Sequence, residues 1–320
     1  MIEIQSNLTI GEAAIWRYVE ECPACLGVEY ERVGGDAAPI AMRIKGVEVL
    51  HPMYHIRKCR SCGLYFKSVV IDRAWLPTYY SAESFSQYEE DGFFPTEHVI
   101  HSILADLPDG ACVLDFGCST GRILERHARR LRCYGVEVND SAAMEARRRG
   151  LIVVNDDSQI ATMGSRFDLV LLSDVYEHLP KPVELTSRLV GYLKPAGHLV
   201  IVTGNADSIR TKEMLAEHWY FRVPGHLHMA GETHIDWLSK SLGVETQSVT
   251  RCSHYRLKFM VKLKQFFQDF SYRHARARPQ RILNRILVFL PPLSKAKRWR
   301  NQPAVTYRKD HFVVDFRTPV

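Results

Sequence analysis

The sequence predicts an α/β fold, and three observations carry that prediction. First, the apolar run Val113-Leu-Asp-Phe enters a turn, Gly117-Cys-Ser-Thr-Gly121, and a helical pattern begins at about Arg122. Second, Tyr134-Gly-Val-Glu-Val138 reads as a further strand ending in an acid, Glu137, so that two strands and a helix make a βαβ unit. Third, strand patterns recur at Phe167 to Ser173 and Leu199 to Val202, with a helix between them. Glycines let the backbone pass close beneath a ligand where any Cβ would collide. An acid at the end of the second strand is placed to accept hydrogen bonds from ribose hydroxyls. The unit is therefore a candidate nucleotide-type cofactor site.

Details of the turn decide which cofactor. A dinucleotide fingerprint G-x-G-x-x-G brings a helix N-terminus to a pyrophosphate, whereas here Asp115 precedes Gly117 and Ser119 stands where a middle glycine would fall. A carboxylate there repels phosphate and suits an amino group. On these residues the segment resembles motif I of the class I S-adenosylmethionine-dependent methyltransferases. The resemblance continues through Arg166-Phe-Asp-Leu-Val-Leu-Leu-Ser-Asp-Val-Tyr-Glu-His-Leu-Pro180 and Leu193-Lys-Pro-Ala-Gly-His-Leu-Val-Ile-Val202, which are similar to motifs IV to VI of that family. It implies a Rossmann-like, seven-stranded methyltransferase sheet, closed by Asp310-His-Phe-Val-Val-Asp-Phe-Arg317 as the last strand. Position by position, it implies that Asp115, Gly117 and Gly121, with Cys118 in the same turn, line the methionine part of the cofactor. Glu137 would bind the ribose, Asp156 with Asp157 beside it would meet the adenine amino group, and Ser173 would lie next to the cofactor.

At 320 residues, 46% hydrophobic and 24% charged, the chain can bury a full α/β core and still carry accessory modules, which excludes a disordered protein. Residues 1–72 form the first module. Cys22-Pro-Ala-Cys25 and Cys59-Arg-Ser-Cys62-Gly63 are two C-x-x-C pairs separated by a stretch suited to short strands. In a reducing compartment such a double pair is far more often a tetrahedral thiolate site for zinc than two disulfides, and Gly63 permits the left-handed turn of the knuckle. A thioredoxin-like redox reading lacks the βαβ pattern that would surround either pair. Four thiolates close the coordination sphere, so the expected zinc is structural. Cys112, Cys118, Cys133 and Cys252 are isolated and suit buried small hydrophobes. The knuckle region, Cys59 to Phe66 followed by Leu76-Pro-Thr-Tyr-Tyr-Ser81, is similar to the N-terminal zinc-binding region of bacterial methyltransferases of sugar and natural-product pathways.

A connecting helical segment, 73–98, leads into the methyltransferase domain at 99–250 and 306–320. On its substrate side, Glu177 and His178 can form an acid/base pair, because the loop after the fourth strand of such folds faces the reacting atom. A structural hydrogen bond is the competing reading for both. Deoxysugar C-methyltransferases place a tyrosine two residues before the glutamate, and Val175 stands there instead. Trp219-Tyr-Phe-Arg-Val-Pro-Gly-His-Leu-His228 resembles the aromatic stretch ending in His-Leu that covers the active site in such pathway methyltransferases, which implies His226 as a third candidate for substrate contact or proton transfer, and His228 suits a packing role. His218 and Glu232 lack a metal-ligand spacing.

Residues 251–305 read as a basic amphipathic helical insertion. Between Arg251 and Asp310 sixteen Lys or Arg face two Asp, so a segment of net charge +14 sits in a chain of net charge +6. Phe259, Met260, Leu263, Phe266, Phe267 and Phe270 recur at helical spacing, and a second apolar run follows at Ile282 to Leu290. Such helices pack on a core, meet anionic membrane surfaces or lipid-linked substrates, or bind nucleic acid. Met1 to Glu12 has no signal-peptide pattern, and no run approaches the roughly 18 apolar residues of a membrane span. A cytoplasmic location, with peripheral contact at the inner membrane surface through 251–305, is the expectation. The function expected is methyl transfer from S-adenosylmethionine to a small, sugar-derived or polysaccharide- or glycolipid-pathway acceptor. Two alternatives stand beside it: an RNA methyltransferase gripping nucleic acid by the knuckle and the insertion, and a non-catalytic zinc-stapled binding protein.

Overall fold

In the computed structural model, which describes residues 15–44, 47–81, 94–163, 166–209, 212–274 and 308–320, the chain opens with seven short strands. These are β1 (Trp16–Tyr18), β2 (Tyr30–Val33), β3 (Ile40–Ile44), β4 (Val47–His51), β5 (Ile56–Cys59), β6 (Tyr65–Lys67) and β7 (Val69–Ile71). β1 pairs with β7 and β3 with β4, both antiparallel, and β5 lies between β2 and β6. The cysteines Cys22, Cys59 and Cys62 are buried in an apolar cluster with Leu64, Phe66 and Ile71. Gly63 takes the left-handed conformation expected of it, with φ +73°.

Two helices, α1 (Leu76–Ser81) and α2 (Pro95–Asp106), lead into the main sheet. That sheet is built from β8 (Cys112–Phe116), β9 (Arg132–Val136), β10 (Ile152–Val154), β11 (Phe167–Ser173) and β12 (Leu193–Gly204), followed after the two-residue β13 (His228–Met229) by β14 (Glu245–Cys252) and β15 (His311–Arg317). Its order is β10-β9-β8-β11-β12-β15-β14. The first five strands are parallel, and β15 runs antiparallel to both neighbours. This is the Rossmann-like seven-stranded sheet that the motifs imply. Alternation along the strands divides the core in two. Leu114, Val170, Leu172, Leu199 and Ile201 pack on one face, and Val113, Leu169, Leu171, Val200 and Val202 on the other. Because both faces are covered, β11 reads as a nearly unbroken apolar run. The fifth strand begins at Leu193, with the Lys194-Pro-Ala-Gly197 turn as a bulge in which Ala196 has φ +56°.

Helices α3 (Arg122–Glu125), α4 (Asp140–Arg148), α5 (Pro182–Val190), α6 (Trp219–Arg222), α7 (Glu232–Leu242) and α8 (Phe259–His274) complete the described elements. α4 starts where Asn139 accepts a hydrogen bond from the Ala142 N–H. The sixth strand runs to Cys252, two residues past the expected boundary at 250, so Arg251 and Cys252 are strand residues. α2 starts within the expected connecting segment and buries Ile100 and Leu104 in the core. The second apolar run, Ile282 to Leu290, lies outside the described residues.

Most of the contact between the first module and the core is made by one segment. β13 adds to the module's sheet by pairing with β6, His228 opposite Phe66 and Met229 opposite Tyr65. The Lys67 side chain is fully buried and donates to the Val223 carbonyl at 2.8 Å. Tyr54 donates to the carbonyls of Ala216 and Phe221 at 3.0 and 2.7 Å. The expected packing role of His228 fits its position: it is buried, with Nε2 3.0 Å from the Leu179 carbonyl oxygen.

Candidate active site

A cavity of about 930 Å³ opens at the C-terminal ends of β8, β9 and β11, towards the upper end of the ~300–1,000 Å³ usual for ligand sites. One end is formed by the turn after β8. Gly117 and Gly121 both have φ +78°, and a Cβ on Gly117 would come within 2.6 Å of the Val175 side chain. Ser119 holds a left-handed conformation without being glycine, φ +48°, and its N–H donates to Glu137 Oε2 at 2.9 Å. The Asn139 N–H donates to the other carboxylate oxygen at 2.7 Å. Glu137 thus stands rigidly at the wall, with acceptor capacity left for two hydroxyls.

Asp115 is 2% exposed, and its Oδ1 has no hydrogen-bond partner. Burial, and then the nearby charges of Glu137 and Glu97, push its carboxyl up to about 7. A buried carboxylate oxygen without a partner at a cavity wall fits an incoming ammonium group. Asp156, Asp157 and Ser173 line the same space. Asp156 accepts from the Ser158 N–H at 2.7 Å, and Asp157 is ion-paired with Arg188 at 2.5 Å. Cys118 borders the cavity, and its thiol packs against Gly135, where any Cβ would collide with it. Arg122 and Glu97, which sequence reasoning passed over, form a bidentate pair at 2.8 and 2.6 Å that ties α2 to the start of α3.

At the other end stand Glu177, His178 and His226, with one ligating atom of each within 4.8 Å of the others. The structure brings together residues that lie on a short turn after β11 and on the loop after α6. Glu177 is buried and accepts from the Thr203 hydroxyl at 2.9 Å. Burial, and then the neighbouring Asp174 carboxylate, raise it to about 7. Burial lowers His178 to about 4 and drives His226 well below its ordinary value. Each imidazole points Nδ1 at a backbone carbonyl, Gly225 at 3.0 Å and Tyr220 at 2.9 Å, and Tyr80 adds its hydroxyl to His178. Tyr176, one place from the position tyrosine takes in the deoxysugar enzymes, is turned away to His234 at 2.8 Å. His218 accepts from the Tyr220 N–H, and Glu232 pairs with Arg251.

The same end holds residues that the sequence did not single out: Asp174, His254 and His311. Their only signal in the sequence is the Asp310-His311 pair at the head of the last strand. Burial lowers His311, yet the Asp310 and Asp174 carboxylates outweigh it and leave the imidazole raised. Trp219, Tyr220, Tyr80 and Tyr255 supply aromatic walls.

In the first module the sulfurs of Cys22, Cys25, Cys59 and Cys62 also lie within 4.8 Å of one another, with Cys22–Cys62 and Cys25–Cys59 each 3.4 Å apart. Ligands at zinc–sulfur distance around a tetrahedral ion stand about 3.8 Å apart. The donor set therefore fits a single zinc ion.

A family model described as a methyltransferase domain matches residues 88–249, half of the chain. The chain belongs to the class I S-adenosylmethionine-dependent methyltransferases. Among solved structures, a complex between the Trm112 methyltransferase activator of Haloferax volcanii and a candidate methyltransferase is 12% identical. That match covers 77% of this methyltransferase and 98% of the other chain, with a TM-score of 0.51. The N-methyltransferase NodS of Bradyrhizobium japonicum, solved with S-adenosyl-L-homocysteine, is 16% identical over 76% of this chain and 97% of its own, with a TM-score of 0.45. At 12% identity the likeness to the Haloferax chain is one of fold. No curated protein matches the methyltransferase.

Proposed function

We propose that this methyltransferase methylates a small, sugar-derived acceptor held between Glu177, His178, His226 and the aromatic walls of the cavity. The observation that carries the reading is one continuous cavity that has a partnerless Asp115 oxygen at one end and a buried acid with two neutral imidazoles at the other. S-adenosylmethionine, when bound, supplies a methyl group made electrophilic by the positive sulfonium. Asp115 would hold its amino group, Glu137 its ribose hydroxyls and Asp156 its adenine amino group. Asp157 and Ser173 border that space, and Asp157 acts through its pair with Arg188.

Glu177 is the best placed to take the acceptor proton. At about 7 it is partly ionised at neutral pH and binds a proton strongly enough to keep it, whereas His178 at about 4 is a weak base. With Nδ1–H committed to a carbonyl, each imidazole keeps Nε2 as an acceptor that can orient a hydroxyl. Aromatic faces such as that of Trp219 can stack on a sugar ring and exclude water. Alignment of the acceptor behind the methyl group is the larger part of the rate gain. Cys22, Cys25, Cys59 and Cys62 would hold one structural zinc, outside the chemistry.

The test is calorimetric. Glu137→Ala should weaken S-adenosylmethionine binding by about 2 to 3 kcal/mol, the scale of charge-assisted hydrogen bonds. Unchanged affinity in the variant would overturn the cofactor assignment. Methyl transfer to RNA but to no sugar nucleotide or glycolipid would overturn the acceptor class.

A further inference from the structure

We propose that Asp174, His254 and His311 form a binding site for a divalent transition-metal ion at the acceptor end of the cavity, separate from the four cysteines. The three residues come from distant parts of the chain: the residue after β11, the segment after β14, and the first position of β15. The sheet order sets β11 and β14 at either side of the β12–β15 pair, and their C-terminal ends converge there. One ligating atom from each residue lies within 4.8 Å of the other two.

Several independent features point to a cation. Two imidazoles and one carboxylate are the donor set of sites that hold a transition ion by three protein ligands and leave positions open. Four thiolates do the opposite. Asp174 Oδ1 and His254 Nδ1 are shielded from solvent and have no hydrogen-bond partner among the described residues. His311 Nε2 is 3.6 Å from Asp174 Oδ1, too long for a hydrogen bond. Two ligands about 2.1 Å from a shared ion stand roughly 3 to 3.5 Å apart, so the pair at 3.6 Å needs only a slight inward shift to close on an ion.

The surroundings match those of a metal site. Asp310 is 1% exposed, and its Oδ1 lies 3.4 Å behind His311 Nδ1. At that distance the carboxylate acts on the imidazole through its charge. The same oxygen accepts the His254 backbone N–H at 2.9 Å, which ties the segment carrying His254 to the head of β15. Asp174 sits at φ +53°, a conformation that few residues other than glycine adopt and that gathers at functional sites. Asp174, Glu177 and Asp310 together crowd three carboxyl groups around His311, and a divalent ion relieves that crowding.

The neighbouring group of Glu177, His178 and His226 is different, because the protein itself satisfies its acid and both Nδ1 atoms. At the proposed site the open coordination positions face the cavity, where water or an oxygen of the acceptor can take them. That last clause rests on the methyl-transfer reading. Binding of the ion does not.

The experiment uses full-length protein whose cysteines are already loaded with zinc, titrated with Co²⁺ and followed by calorimetry and visible absorption. One further Co²⁺ per chain should bind, with the weak bands of nitrogen and oxygen ligation and no sulfur-to-metal charge transfer. Asp174→Asn and His254→Gln should each weaken it at least about tenfold. Asparagine tolerates the left-handed backbone at 174, and S-adenosylmethionine affinity measured on the same samples reports folding and tests the cofactor reading separately. Failure of the zinc-loaded protein to take up Co²⁺, or equal uptake by folded His254→Gln, would overturn the proposal.

Discussion

Asp115 shows how a single buried acid can set the pH response of cofactor binding. Its carboxyl stands at about 7 because burial and two nearby acids oppose its charge, and an ammonium group reverses that balance. Binding therefore expels a proton below pH 7 and expels none above it. Affinity for S-adenosylmethionine should peak between about pH 7 and 8, falling by about tenfold per pH unit on the acid side and again where the cofactor's own amino group loses its proton, and Asp115→Asn should abolish the acid-side slope. Calorimetry between pH 5.5 and 8.5 gives the answer directly. Asp115 and Glu137 were legible in the sequence because the strand, turn and second strand that carry them are nearly contiguous. Asp174, His254 and His311 were not, since only the folded sheet makes them neighbours. Cys118 shows the opposite limit: its place in the motif is legible, whereas the direction of its thiol depends on the absence of a side chain at Gly135.

Among the elements, α8 was readable from period alone, and Phe259 to His274 is helical as the spacing requires. Phe259 and Met260 are 74% and 69% exposed at its start, beside Lys258, Lys262 and Lys264. At the buried side Asp269 pairs with Arg308. A basic helix that keeps aromatic side chains in water is suited to an anionic lipid surface or to a lipid-linked acceptor. The protein should sediment with acidic vesicles and much less with neutral ones, salt should release the electrostatic part, and Phe266→Ser with Phe267→Ser should reduce binding without changing cofactor affinity. Equal partition into both supernatants would make α8 a packed cover, and salt-sensitive binding to RNA would favour the nucleic-acid reading. Among the described residues no helix is long and apolar enough to cross a membrane. By contrast, β13 could not be read from the sequence. Two residues carry no period, and their strand geometry exists only because β6 is there to pair with them.

Across the whole molecule, that pairing joins the cysteine module to the acceptor end of the cavity. Lys67 and Tyr54 of the module hold the backbone from 216 to 223, β6 holds β13, and the Leu227 N–H donates to the Glu177 carbonyl at 2.9 Å. His226 lies in the middle of this grip. Elemental analysis should find one tightly held zinc among the cysteines, and Cys59→Ser should lower the melting temperature and weaken acceptor binding more than cofactor binding. An unchanged melting profile in chelator would refute a structural ion. The cofactor end depends on β8, β9 and α4, none of which touches β6 or β13 in the sheet pairings.

The two-residue strand also sets a timescale. A ladder so short depends on the elements beside it, so opening of the segment around His226 should follow loosening of the module beneath it. Exchange of the Lys67 amide hydrogen, bonded to the Leu227 carbonyl across this seam, should then follow the stability of the cysteine module rather than that of the large sheet. Release of a product past His226 would then answer to a part of the protein that never meets it.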